Sequence, residues 1–210
     1  MKRLIAFGDS WTAGHGIESD VKYKEDPFPN MFTQKLRDMN SWPRWVAEKL
    51  DRIYVNLGVC GYGNEYILKD IRAVKNDGLF NQDDIIIVML SYPYRYKTKD
   101  IHDVTEIYHM IEKELEGYTH FYFNSFYPSF REEDFDTSKL PKYFINPNGC
   151  VADVLKLHEE EYDISVWEYG SRRVWNDEKN YWEGDYHPNI YGYKLIGDYI
   201  YSKISAFTNV

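Results

Sequence analysis

Cysteine is nearly missing from this chain, with only Cys60 and Cys150 in 210 residues. Two cysteines so far apart, with no others, form neither a disulfide framework nor a zinc pattern. Both are expected to be reduced thiols in packed surroundings. No apolar run approaches the roughly 18 residues needed to cross a bilayer, so no membrane span is expected. The N-terminus runs directly into an apolar, strand-like stretch, with no signal-peptide core ending in a small-residue cleavage site. The expected location is the cytoplasm. Positive charge is scarce as well: 25 Lys and Arg face 34 Asp and Glu, for a net charge of −9. With no basic stripe, nucleic acid and anionic membrane are excluded as main partners. The dinucleotide pattern Gly-x-Gly-x-x-Gly is absent, Gly61-x-Gly63 being only a fragment of it. Gly-x-Ser-x-Gly, the nucleophile elbow of α/β-hydrolases, is absent too. There is no internal repeat and no low-complexity tract.

What is present suits one domain over residues 1–210, since 43% of the residues are hydrophobic and the length supports a sizeable core. Aromatics are plentiful: 20 Tyr, 11 Phe and 6 Trp. Such side chains suit interfaces and sugar-like ligands, but their spread along the whole chain equally fits a biased composition.

Leu4-Ile5-Ala6-Phe7 reads as a buried strand ended by Gly8. The stretch from Glu18 to Asn40 reads as a polar, Pro-containing loop. Ser41-Trp42-Pro43 is a helix start, and Trp45, Val46 and Leu50 give that helix an apolar side. Ile53 to Leu57 is a second strand, followed by a glycine turn at Gly61-Tyr62-Gly63-Asn64. Ile67, Leu68, Ile71 and Val74 form a helical stripe. Asp84 to Leu90 is a continuous apolar run, as expected for a central parallel strand covered on both faces. A helix over Ile101 to Glu116 and a strand at Phe121 to Phe123 follow. Residues 125–149 read as an irregular insertion, Val151 to Leu157 as a short helix, Ile164 to Trp167 as a fifth strand, and the last helix opens at Pro188. This alternation predicts an α/β domain with a mostly parallel sheet of four to five strands.

In such sheets ligands bind beyond the carboxyl ends of the strands. The polar residues there are Asp9-Ser10, then Asn56, Gly58 and Gly61, then Ser91-Tyr92-Pro93-Tyr94-Arg95, then Asn124-Ser125, and Asp185-Tyr186-His187 before the final helix. A serine becomes a nucleophile when a base takes its proton. A histidine is a suitable base, and a carboxylate fixes its tautomer. Glycine lets backbone N–H groups approach an oxyanion closely.

These blocks resemble the SGNH (GDSL-type) hydrolase superfamily, whose members share a flavodoxin-like three-layer α/β/α fold. Gly8-Asp9-Ser10 is similar to its first block, with Ser10 at the nucleophile. Asn56-Leu57-Gly58-Val59-Cys60-Gly61 is similar to the second, with Gly61 at an oxyanion donor. Asp185-Tyr186-His187-Pro188-Asn189 with Gly192 is similar to the last, with His187 at the base. The resemblance implies a serine esterase acting without metal or organic cofactor, with oxyanion donors at the Ser10 and Gly61 N–H groups. It implies a small-molecule or glycan ester as substrate, such as an O-acetylated carbohydrate. Two departures stand out. The family's acid lies three residues before the histidine, where this chain has Gly184; Asp185, two before, can share a side with His187 in an extended segment. The third block's Asn aligns with Pro93, which has neither a side-chain donor nor a backbone N–H. Tyr92, Tyr94, Arg95 or Asn64 would compensate; Asn64, Tyr92 and Arg95 are candidate substrate contacts, and Asn64 and Arg95 read equally as a structural cap and a surface charge. Pro93-x-Arg95 with Gly61-x-Gly63-Asn64 resembles divergent SGNH-like proteins carried by bacteriophages, which would allow a virion-associated location.

Asp9 is expected to bond backbone in the turn after the first strand. His102, Glu106 and His109 share a helical face, which reads as solvated rather than as a metal site. Cys60 reads as a small packed residue. Two rivals keep the fold: a catalytically weakened carbohydrate-binding or structural module, and an O-acyltransferase in which a sugar hydroxyl replaces water.

Overall fold

The computed structural model describes residues 1–15, 17, 31–91, 101–125, 151, 154–155, 174–176, 181–183 and 187–208. Among the described residues, four parallel strands form the sheet: β1 (Arg3–Gly8), β2 (Ile53–Gly58), β3 (Ile85–Leu90) and β4 (Thr119–Asn124), in the order β2-β1-β3-β4. The register pairs Gly8 with Gly58 and Phe7 with Val88, so β1, β2 and β3 end near one level. The order reverses direction at β1, which places the switch point between β1 and β3, where ligands of doubly wound sheets bind. The fold is α/β and flavodoxin-like, as expected.

Side chains alternate along each strand and fill two separate cores. Leu4, Ala6, Ile85, Ile87, Met89, Phe121 and Phe123 meet α3 (Trp42–Lys49) and α6 (Ile190–Thr208). Ile5, Phe7, Ile86, Val88, Leu90 and Tyr122 meet α4 (Asn64–Asn76) and α5 (Ile101–Leu115). The all-apolar β3 is buried at every position, which is why it shows no alternation in sequence.

Two elements differ from expectation. Residues Met31–Asn40 form helix α2 rather than loop. The prolines at 27 and 29 and the polar run Thr33-Gln34-Lys35 mask its weak apolar side; Leu36 packs on the first core and Arg37 is buried. A two-stranded antiparallel pair, β5 (Val174–Asn176) and β6 (Tyr181–Glu183), lies apart from the main sheet. The expected insertion beyond Ser125, the expected strand at Ile164–Trp167 and Cys150 lie outside the described residues.

Candidate active site

The rim is built first by the turn after β1. Asp9 is the N-cap of a one-turn helix, α1 (Ser10–Ala13), its Oδ1 accepting the Trp11 N–H at 3.0 Å. Its Oδ2 accepts the Ser91 hydroxyl at 2.8 Å, tying the turn to the end of β3. Asp9 is fully buried and bonds backbone as expected, and it also has this second partner. Ser10 is the first residue of α1 and is nearly buried. At that position a helix offers its N–H no partner of its own. The helix stops at Gly14, whose left-handed φ of 77° suits glycine. The N–H groups of Gly14 and His15 both donate to the Ser10 carbonyl.

The second block supports this helix from below. Asn56 Oδ1 accepts the Gly58 N–H at 3.0 Å, while Nδ2 donates to the Thr12 carbonyl at 2.8 Å and to Ser41 Oγ at 3.2 Å. A Cβ on Gly58 would lie 2.5 Å from Ala13 N and 2.7 Å from the Thr12 carbonyl carbon, so α1 rests directly on that glycine. The Val59 N–H donates to the Gly8 carbonyl, and Gly61 turns with φ 85°. Cys60, expected to be packed, is exposed: it sits in the turn beyond β2, and Arg37 Nη1 reaches its sulfur at 4.0 Å.

Asn64, a candidate substrate contact, is buried at the start of α4 with both ends of its amide on Ser91. Its Oδ1 accepts the Ser91 N–H at 2.8 Å, and its Nδ2 donates to the Ser91 carbonyl at 3.1 Å. It clamps the chain as it leaves β3. Tyr92, Pro93, Tyr94, Arg95 and Asp185 lie outside the described residues. Glu106 and His109 are exposed on α5. Among the described residues no three His, Cys, Asp or Glu side chains cluster as a metal site.

His187 is buried immediately ahead of α6. Asn189 in the same block caps that helix, its Oδ1 accepting the Gly192 N–H at 2.8 Å. Nε2 of His187 meets Nδ1 of His15 at 3.1 Å, with the two rings 83° apart. Sequence reasoning missed His15. Its only local signal is its position between Gly14 and Gly16, directly after the serine turn. The Tyr193 hydroxyl, from α6, donates to the His15 carbonyl at 2.8 Å. The structure therefore brings together Ser10, His15, the Gly58–Gly61 turn, Asn64 and Ser91 through hydrogen bonds and close packing, and His187 through His15.

Serine turn, glycine turn and buried histidine at the carboxyl rim of a flavodoxin-like sheet define an α/β fold shared with solved esterases. A carbohydrate esterase family 2 enzyme with a carbohydrate-binding domain, from Corynascus thermopiles (Myceliophthora fergusii), is 14% identical. The alignment covers 100% of this chain and 67% of that one, at TM-score 0.57. The psychrotrophic esterase EstA from Pseudoalteromonas sp. is 13% identical over 99% of both chains, at TM-score 0.53. A member of the lipolytic protein G-D-S-L family from Veillonella parvula is 18% identical over 100% of both chains, at TM-score 0.47. For the first two, at such identities, the likeness is one of fold. No protein-family model and no curated protein matches the sequence.

Proposed function

We propose that the protein is a serine ester hydrolase. Ser10 Oγ attacks the acyl carbonyl as its proton passes to His187. The oxyanion is received by the N–H groups of Ser10 and Gly61. His187 returns the proton to the leaving alcohol, and water, activated by the same imidazole, releases the acyl group from Ser10. Asp185 orients His187, and the scheme needs no cofactor. The observation that carries this reading is the join between the chain's two ends. His15 bonds the Ser10 carbonyl through its N–H at 3.0 Å and meets His187 at 3.1 Å, across 172 residues. An O-acetylated carbohydrate is the substrate class, supported by the fold shared with a carbohydrate esterase and by the many Tyr and Trp side chains.

A second reading, a non-catalytic glycan-binding module, draws on Pro93, which supplies no oxyanion donor. Turnover of p-nitrophenyl acetate by wild type and Ser10→Ala separates the two. The hydrolase reading expects kcat/KM to fall by about 10³-fold or more in the variant. Activity that survives Ser10→Ala unchanged would overturn it. Absence of turnover together with glycan binding would establish the module, and a strict need for a sugar acceptor would make the protein a transferase.

A further inference from the structure

Two tyrosines stand beside the glycine turn that follows β2. The Tyr62 N–H donates to the Val59 carbonyl at 3.2 Å, which closes a turn around Gly61. Gly61 takes φ 85° within it, so the Tyr62 backbone is held next to the N–H assigned to the oxyanion. Gly63 then caps α4, and Tyr66 lies in the first turn of that helix. Helical side chains lean toward the helix N-terminus, which here is the end at the carboxyl rim of the sheet. The Tyr66 ring accordingly meets the ring of Tyr62, with centroids 5.2 Å apart and planes inclined by 34°.

Tyr66 is not needed to hold α4, because Ile67, Leu68 and Ile71 bury that helix against the sheet. Tyr62 is half-buried on the same core, and Tyr66 is 45% exposed. Val59, 37% exposed, extends the apolar surface on the β2 side.

We propose that Tyr62 and Tyr66 form a sugar-binding platform, on which a pyranose ring of an O-acetylated glycan rests while its ester lies between Ser10 and Gly61. The proposal deepens the hydrolase reading and rests on it for the position of the ester. The face of a phenol ring carries partial negative charge. A pyranose face presents C–H groups with partial positive charge, so the two surfaces attract, and both shed water on contact. The hydroxyls around the sugar keep their water, which a partly exposed platform allows. Tyr62 backs Tyr66 and restricts its ring, so little side-chain freedom is lost on binding. Tyr62 directly follows Gly61, which leaves the sugar of an ester held at that N–H within reach of the rings. The sugar ring makes this contact before and during acyl transfer alike, so the platform lowers KM and leaves kcat nearly unchanged.

The test compares an O-acetylated xylotetraose, whose rings carry no CH2OH arm, with ethyl acetate, which has the ester and no ring. Tyr66→Ala removes the platform's exposed ring, and Tyr66→Phe keeps it. In Tyr66→Ala the ratio of kcat/KM on the oligosaccharide to kcat/KM on ethyl acetate is expected to fall about tenfold, through KM. Tyr66→Phe is expected to hold that ratio within about twofold. If Tyr66→Ala does not fold, Tyr66→Gln, also ringless and a good helix former, takes its place. A ratio that stays unchanged without the ring would overturn the proposal, as would a wild type that cleaves ethyl acetate and not the oligosaccharide. Calorimetry with the uncleaved oligosaccharide gives a readout independent of turnover. Adding Tyr66→Ala to Ser10→Ala is expected to weaken Kd about tenfold; an equal Kd, or no binding to Ser10→Ala at all, counts against the platform. A wild type that cleaves neither ester would end the hydrolase reading, and the calorimetry then judges the platform alone.

Discussion

Asn56 uses three hydrogen bonds to fasten a strand end, a helix end and a helix start to one another. A carbonyl oxygen and an amide nitrogen on one short side chain allow this, and no apolar residue can replace it. Gly58, two residues on, does the complementary work by having no side chain. The nearest atoms that a Cβ would meet there are backbone atoms of Ala13 and Thr12 and the Cβ of Thr12, none of which can swing aside as the far end of a flexible side chain can. Gly58→Ala is expected to lift α1 off β2, at about 1–3 kcal/mol of stability. A lifted α1 displaces Ser10 from its rim position, so kcat falls as well. Urea denaturation and p-nitrophenyl acetate kinetics on the same preparation check both effects. Asn64 carries a related lesson. In sequence it reads equally as a ligand contact and as a cap, and only its two bonds to Ser91 assign it to the chain leaving β3.

Among the elements, the amino end of the sheet is fastened separately from the carboxyl rim. Arg3, opening β1, holds Asp84, just ahead of β3, in a two-pronged pair at 3.0 and 2.5 Å. The Asn81 N–H donates to the same carboxylate at 2.8 Å. Burial pushes the Asp84 pKa up, but the Arg3 hydrogen bond, the Asn81 N–H and the Arg3 charge outweigh it and hold it below the usual carboxylate range. A carboxyl depressed in the folded state stabilises the fold above its unfolded pKa, and that stability is lost as pH falls through the folded value. Asp84→Asn is therefore expected to cost about 2–3 kcal/mol at pH 7. The deficit should shrink below about pH 4 as the wild-type carboxyl takes up its proton. Urea unfolding at pH 7 and pH 3 measures it, and kcat at pH 7 should not change, since the pair lies at the end of the sheet away from Ser10. The helices on each face carry exposed ion pairs as well: Lys49–Asp198 between α3 and α6, and Arg72–Glu114 between α4 and α5. Such pairs contribute little, and apolar packing holds the helices in place.

Over the whole molecule, the sheet is a partition between two cores. Ile87 faces the α3 and α6 side and Ile86 the α4 and α5 side, both fully buried. Ile86→Ala and Ile87→Ala are each expected to cost about 2–5 kcal/mol, seen as a Tm drop of roughly 2–4 °C per kcal/mol for a chain of this size. A sheet with one wet face would lose stability for only one of the two. The carboxyl rim between these cores draws on elements from both sides. α1 with Trp11 and α6 with Tyr193 belong to one core, and α4, which begins at Asn64, belongs to the other. The site is therefore an assembly of chain-distant parts.

The sequence by itself determined the four main strands, the helices α3 to α6 and the polar residues that end each strand. Each of these depends on local periodicity and on Gly, Pro and Ser signals within a few residues. It left α2 hidden behind a polar, proline-flanked stretch, and it carried nothing to single out His15. Tertiary structure alone decided the strand order, the exposure of Cys60, the bonding of Asn64 to Ser91 and the meeting of His15 with His187. Those contacts join residues as far as 172 positions apart. No local pattern encodes them, because they exist only once β1, β3 and the final helix are packed side by side.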